Sequence, residues 1–555
     1  MTTMKKNNLW MLGAFLFCIV LTGLGACTES NDNPVSPGGS SGGGDIDYDI
    51  NNVEVIESGV MKTADIFDDI IEDNADLEDR EDSIYYEWAT EHKKYIISDE
   101  QAATRVSNED RTGEDGSSDT GYLKNCKWVT IRYKTKSVTG ADIWCSALVV
   151  WPYNAIRANP NPTNLIIGCH CTITSNDERP TNFSKLKTAT DVGMMALQWV
   201  ASKANCLLVV PDYEGYGATH GSPHPYCNRD VTAVQVLDGA KAGLAWYTRN
   251  EKKMAYDWRT YAVGYSQGGA VAAGTYRYYR EKKMDGMGFF GAVCGDGPYD
   301  PLATLKEYIK QDKLYMPVAP ALLLKGAVDT NKDLKALGCI YGDFVRDDFY
   351  NTGIFDYLKE KKLNTDQIQT ELLKTSGRYK SGFKMYCWSI FEKKFEFFHP
   401  DIINDKSRNR VWDLRNGNAT SYCTVDQCFR PGVIAYFKNG SITGNVQEDK
   451  LKALEKALKE NSLYYGDYKP GTFECFTFFH SMRDEVVPYC NMQSLKNAWG
   501  DKTVKYSTYN APAVYLHVGT GAAFYAVYAP YLLKEIMAKK WKPGSFGIQV
   551  DGMPF

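Results

Sequence analysis

The sequence predicts an α/β fold, a mainly parallel central sheet flanked by helices and interrupted by a large helical insertion. Three observations predict it. Short apolar runs alternate with helical stretches before Pro298, the pattern of buried strands joined by right-handed crossovers. The alternation stops near Pro298 and resumes at Phe473. Between one strand pattern and the helix pattern after it stands Gly264-Tyr265-Ser266-Gln267-Gly268, a G-x-S-x-G turn that would lift a serine hydroxyl above the sheet.

Composition admits such a fold and narrows the partners. The 555 residues are 44% hydrophobic and 24% charged, too rich in core-formers for disorder. Lys and Arg number 63 against 68 Asp and Glu, a net charge of −5. Neither sign is gathered into a stripe, which argues against a nucleic-acid partner.

Residues 1–26 read as an address. Lys5 and Lys6 precede a nearly uncharged run from Leu9 to Ala26, which closes on Leu24-Gly25-Ala26-Cys27. This resembles a bacterial lipoprotein signal with its lipobox, which implies cleavage before Cys27 and lipid on its thiol. The rival reading is a transmembrane anchor, but about 18 apolar residues is the short limit for a span, and Gly13, Gly23 and Gly25 thin the run further. Residues 27–52, with Pro37 followed by Gly38-Gly39-Ser40-Ser41-Gly42-Gly43-Gly44, read as a lipidated flexible tether. The expected location is the cell envelope, at the outer membrane or cell surface. Export implies an oxidising compartment. Removing Cys18 and Cys27 from fifteen cysteines leaves thirteen, so one thiol at least stays free. Cys145, Cys206, Cys294 and Cys475 sit in apolar runs and read as small buried hydrophobes; Cys423 and Cys428 flank a mostly polar tetrapeptide and are candidates for a local disulfide. Asp45-Ile46-Asp47-Tyr48-Asp49 lacks the glycine and the twelfth-position glutamate of a calcium loop, and reads as solvated acid.

Residues 53–121 are acidic and amphipathic, with Ala64 to Ile71 at helical spacing, and read as an N-terminal helical segment. Residues 122–298 form the first part of the core. Lys127 to Lys134 and Ala141 to Trp151 predict a hairpin; Leu165 to Ile167, Cys206 to Val210, Tyr261 to Val263 and Phe289 to Val293 predict buried strands. Residues 299–470 are mostly helical in pattern and read as a cap or lid. Residues 471–555 complete the core, with strands at Phe473 to Phe479 and Ala513 to Leu516 and a closing helix from Ala522 to Lys540.

The chemistry centres on Ser266. Flanking glycines remove the Cβ atoms that would clash at so tight a turn, and the Gln267 N–H points to where a tetrahedral oxyanion would form. Here the sequence resembles the α/β-hydrolase family, over roughly Lys124 to Pro298 and Thr472 to Phe555. The resemblance implies a triad in the order serine, acid, histidine. Asp484, in His480-Ser481-Met482-Arg483-Asp484-Glu485-Val486-Val487-Pro488, matches the acid loop; Glu485 and Asp296 are the runner-up acids. Of seven histidines, His517 alone follows the acid, before Val518-Gly519-Thr520-Gly521 and a helix. His480 reads as support for the acid loop, His92 as solvated, and His170, His220, His224 and His399 fall before the acid in sequence.

The second oxyanion donor is expected in Gly168-Cys169-His170-Cys171-Thr172, which looks like the family's H-G-T loop with Cys171 where glycine is usual. The donor stays open between Cys171 and Thr172. A metal site at Cys169-His170-Cys171 lacks a spaced partner set. Pro211-Asp212-Tyr213-Glu214-Gly215-Tyr216-Gly217 resembles the corresponding loop of secretory lipases and microbial esterases, and its glycine spacing fails the dinucleotide-binding pattern.

The expected activity is hydrolysis of small-molecule or lipid carboxylic esters through a Ser266–His517–Asp484 triad and an acyl-enzyme, with no cofactor and no metal. Tyr315, Phe344, Phe349, Tyr350, Phe355, Trp388, Phe391 and Phe395 would roof the acyl pocket if the insertion is a lid; otherwise they pack a helical subdomain. The alternatives are a peptidase or polysaccharide-ester hydrolase with the same triad, and a non-catalytic binding lipoprotein on a hydrolase scaffold.

Overall fold

The computed structural model describes residues 48–61, 125–153, 160–185, 191–196, 200, 205–375, 382–389, 394–397, 412–413, 418–419, 421–443, 447–471, 475–500, 506–511 and 516–537. The leader, Cys27, most of the tether, the Ala64 to Ile71 pattern, His92, Phe391 and His399 lie outside these residues.

Strands β1 (Val53–Met61), β2 (Asn125–Lys136) and β3 (Asp142–Tyr153) run antiparallel, each to the next. The hairpin of β2 and β3 is the predicted one. β1 is a correction, since the sequence reading placed these residues in a helical segment. Val53, Val55, Ile56 and Val60 are β-branched and favour extended backbone; Gly59 makes room for the Trp128 ring, which a Cβ there would approach to 2.8 Å.

Next come β4 (Asn164–Cys169), helix α1 (Asp191–Met195), β5 (Cys206–Pro211), helix α2 (Arg229–Asn250), β6 (Arg259–Tyr265), helix α3 (Gln267–Glu281) and β7 (Phe289–Gly295). The insertion follows. Its longer helices are α4 (Pro301–Gln311), α5 (Val318–Thr330), α6 (Ile354–Glu360), α7 (Thr365–Thr375), α8 (Pro431–Asn439) and α9 (Glu448–Glu460). Here too the expectation needs correcting, because the insertion also holds strands: β8 (Lys313–Leu314), β9 (Tyr386–Ser389), β10 (Lys394–Phe397), β11 (Trp412–Asp413), β12 (Asn418–Ala419) and β13 (Ser421–Thr424). Four of them form a small sheet in the order β10-β9-β13-β8. Runs of two to four residues are too short for a period-2 signal to emerge from sequence.

The chain then returns to the main sheet with β14 (Cys475–Ser481), helix α10 (Cys490–Trp499) and β15 (Tyr506–Ala511), and closes with helices α11 (His517–Ala523) and α12 (Ala529–Met537). Of the predicted strand Ala513 to Leu516 only Leu516 lies among the described residues; β15 precedes it. Its Tyr506, Thr508 and Tyr509 suit extended backbone, and it pairs in parallel with β14 from Phe476 opposite Tyr506 to Ser481 opposite Ala511.

The main sheet has nine strands in the order β1-β2-β3-β5-β4-β6-β7-β14-β15. From β5 to β15 all neighbours are parallel; β3 and β5 are antiparallel. This is the α/β-hydrolase fold with a large insertion. Strand alternation divides the core into two faces. Ile166, Leu208, Val263, Val293 and Phe479 pack with Met195 and with Phe524 to Ile536 at the C-terminal end; Ile167, Leu207, Ala262, Cys294 and Phe478 pack against α2, α3 and α10. The insertion has a core of its own, in which Phe344, Phe349 and Phe355 are buried. Those three rings therefore pack a subdomain. Cys145, Cys206, Cys294 and Cys475 are buried, as their apolar runs predict. Cys423 and Cys428, the candidates for a local disulfide, are unbonded thiols with their sulfurs 3.4 Å apart. No helix among the described residues is long and apolar enough to cross a membrane.

Candidate active site

β6, β7 and β14 are adjacent and parallel, so their carboxyl ends lie side by side at the end where ligands bind in sheets of this type. Ser266 sits between β6 and α3 with φ 57° and ψ −126°, a strained backbone for a residue with a Cβ. The surrounding glycines explain how the turn closes. A Cβ on Gly264 would lie 2.3 Å from the Gly268 carbonyl oxygen, and one on Gly268 would lie 2.0 Å from the Cys169 oxygen. The Ser266 N–H donates to the Gly295 carbonyl at 2.9 Å, tying the turn to the end of β7.

His517 is the first residue of α11, and its Nε2 lies 3.0 Å from Ser266 Oγ. Its Nδ1–H donates to Asp484 Oδ2 at 2.5 Å. The other Asp484 oxygen accepts the Val486 and Val487 N–H groups at 2.8 and 2.6 Å. Asp484 and His517 are both buried. Burial lowers the proton affinity of His517 below that of an ordinary imidazole, outweighing the opposing pull of Asp296 and Glu485. Burial, with Asp296 as neighbour, drives Asp484 the other way, upward. The structure thus brings the three residues named from sequence into one hydrogen-bonded chain.

The runner-up acids take other places. Glu485 accepts the backbone N–H of His517 at 3.1 Å, not the ring, and burial raises its pKa to about 7. Asp296 Oδ1 accepts the Ser481 N–H at 2.8 Å, and its Oδ2 lies 2.6 Å from the Tyr265 hydroxyl. His480 Nε2–H donates to the Val487 carbonyl at 2.8 Å, bracing the acid loop. Asp296, His480 and Asp484 have polar atoms within 4.8 Å of one another, but every oxygen of the two carboxyls already faces a protein partner.

The second oxyanion position needs a correction. The Cys171 N–H donates to Asp191 Oδ2 at 2.5 Å, so it is committed to a carboxylate and cannot serve an oxyanion. Thr172 remains, its hydroxyl 3.1 Å from the Tyr226 hydroxyl. Gln267, first residue of α3, keeps a backbone N–H with no intrahelical acceptor. Cys169 Sγ turns to the Ile167 carbonyl, Cys171 Sγ to the Thr172 carbonyl, and the His170 ring stacks on Tyr213 at 3.9 Å. These side chains do not converge as ligands.

Sequence reasoning missed two supporting residues. Asp191, half-buried and with its pKa raised by that burial, holds Cys171 and lies 3.4 Å from the Tyr525 hydroxyl, which in turn accepts the Tyr265 N–H at 3.1 Å. His224 donates from Nδ1 to the Glu214 carbonyl and accepts the Gln267 side-chain amide at Nε2, both at 2.8 Å. Burial lowers its pKa to about 3, which keeps that acceptor open.

No protein-family model matches the chain, and no curated protein matches it by sequence. Solved structures do. A ligand-bound form of the rice cell wall degrading esterase LipA from Xanthomonas oryzae aligns with TM-score 0.52 at 14% identity, covering 88% of this chain and 97% of that one. A point mutant of the same esterase aligns with TM-score 0.51 at 14% identity, covering 76% and 91%. At this identity the likeness establishes the fold alone.

Proposed function

We propose that the chain is an exported, lipid-anchored serine hydrolase that cleaves carboxylic esters. The observation that carries the chemistry is the unbroken chain from Ser266 Oγ to His517 at 3.0 Å and on to Asp484 at 2.5 Å, beneath a strained nucleophile turn. In this reading neutral His517 takes the Ser266 proton as the hydroxyl attacks the ester carbonyl, and Asp484 stabilises the imidazolium that results. The oxyanion is met by the N–H groups of Gln267 and Thr172. His517 then returns the proton to the departing alcohol, leaving an acyl-Ser266. Water, activated by the same histidine, completes the cycle. Anchoring through Cys27 rests on the lipobox alone.

The test is turnover of p-nitrophenyl esters from acetyl to palmitoyl beside the matching p-nitroanilides. Ester turnover that falls by about 10⁴-fold or more in Ser266→Ala, with anilides far slower, is expected. Equal turnover of anilides would favour a peptidase. No turnover of either by a folded chain would favour the binding lipoprotein.

A further inference from the structure

We propose that Lys361, a residue of the insertion, is a positioning residue for the oxyanion donor at Gln267 and acts through His224; its catalytic meaning rests on the ester-hydrolase reading above. In that reading the peptide between Ser266 and Gln267 carries an N–H that meets the oxyanion. It follows a serine with φ 57°, a left-handed value that a residue with a Cβ keeps only under constraint, so its plane has to be held. The carbonyl of that peptide accepts the N–H groups of Gly269 and Ala270 at 2.9 and 3.3 Å. Its N–H must stay open, and on that side the hold is the buried Gln267 side chain, whose amide donates to His224 Nε2 at 2.8 Å. The amide oxygen has no hydrogen-bond partner among the described residues, so His224 is the tether of this side chain.

His224 is placed in turn by its loop. Its Nδ1–H goes to the Glu214 carbonyl at 2.8 Å, and Gly215 packs so closely that a Cβ there would lie 2.8 Å from His224 Cα. One group from outside the loop gathers it. Lys361 Nζ donates to the carbonyls of Gly215, His220 and Ser222 at 2.5, 2.9 and 2.6 Å, so each of the ammonium hydrogens has an acceptor. The same ammonium lies 5.3 Å from the centre of the Tyr216 ring, within reach of a cation–π contact.

The backbone of Lys361 is one that a lysine rarely adopts. It ends α6 with φ 55° and ψ 39°, a conformation that glycine fills at many helix ends. A glycine would close the helix as well but would reach no carbonyl. Lys361 is buried, and its own carbonyl accepts the Asn176 N–H at 2.7 Å, which gives the side chain a fixed base. A continuous line of contacts thus runs from the insertion through Lys361, the loop from Gly215 to Ser222, and His224 to Gln267.

The experiment is a double-mutant cycle in the full chain. Lys361→Met removes the ammonium and leaves the Asn176 contact; Gln267→Met removes the amide and leaves the backbone N–H. Turnover of a p-nitrophenyl ester is counted per site titrated with a fluorophosphonate, so that misfolded chains drop out. Each single variant should lower kcat by roughly 10-fold with KM little changed, less than the roughly 10²- to 10³-fold that follows loss of a whole oxyanion donor. The double variant should be no slower than the slower single one. Affinity for a trifluoromethyl ketone, whose adduct with Ser266 carries the oxyanion, should fall by the same factor as kcat. Losses that multiply in the double variant, or an unchanged kcat in Lys361→Met, overturn the proposal. Where Lys361→Met does not fold, Lys361→Gln, which keeps two N–H donors on a side chain one bond shorter, is read through the same cycle. A parent that takes the fluorophosphonate but hydrolyses no ester counts against the ester-hydrolase reading alone, and the rate of labelling, which needs the same donor, then supplies the cycle. A folded parent that takes no label removes the triad and this proposal with it.

Discussion

His517 is held on every polar atom: ring nitrogens to Ser266 and Asp484, backbone N–H to Glu485, backbone carbonyl to Tyr265. To act as base it must be neutral, and burial shifts it toward the neutral form below the ordinary value of 6.5. Activity is therefore lost only as pH falls through that lowered value, so the acid limb of kcat/KM should have its midpoint below 6.5. A midpoint above it, measured in a series of buffers at constant ionic strength, would mean that another group limits the reaction. Ser266, Asp484 and His517 were legible in the sequence because each sits in a short motif whose order the fold dictates. Asp191 was not, because a carboxylate acting on a backbone N–H 20 residues away leaves no local pattern. For the same reason Cys171 and Thr172 could not be separated before the Asp191 contact was seen.

The nucleophile turn shows how an element is specified by what it excludes. Gly268 lies against the Cys169 and His170 carbonyls, with no space for a methyl group. Gly268→Ala should therefore destabilise the fold by about 2 kcal/mol or more and reduce ester turnover, because α3 and β4 must part beneath Ser266. Urea denaturation checks this; unchanged stability and activity would show that the turn has slack. Elements with a long apolar period, β2 to β7 and α2, were legible for the same steric reasons. β1 was not, because nine residues beside an acidic amphipathic stretch carry too little alternation: Val55, Ile56 and Val60 are all exposed, so burial did not mark one face. The small strands of the insertion failed for shortness.

Across the whole molecule, the interrupted alternation of the sequence corresponds to a real division. Residues before β8 and after β13 build one nine-stranded sheet, while the insertion between Ser266 and Asp484 folds around its own aromatic core. The contacts between the two are specific. Lys361, buried at the end of α6, gives its ammonium to the carbonyls of Gly215, His220 and Ser222, and Tyr308 of α4 donates to the Val486 carbonyl in the acid loop. The insertion therefore braces the loops that follow β5 and β14. That role was invisible in sequence, because a lone lysine has no motif. What the architecture asks of its centre is an activated serine. Fluorophosphonate labelling of the chain from residue 28 onward, with the modified peptide mapped by mass, tests this most directly. The account predicts one equivalent of label on Ser266 and none in Ser266→Ala; a folded parent that takes no label, or takes it elsewhere, would contradict it.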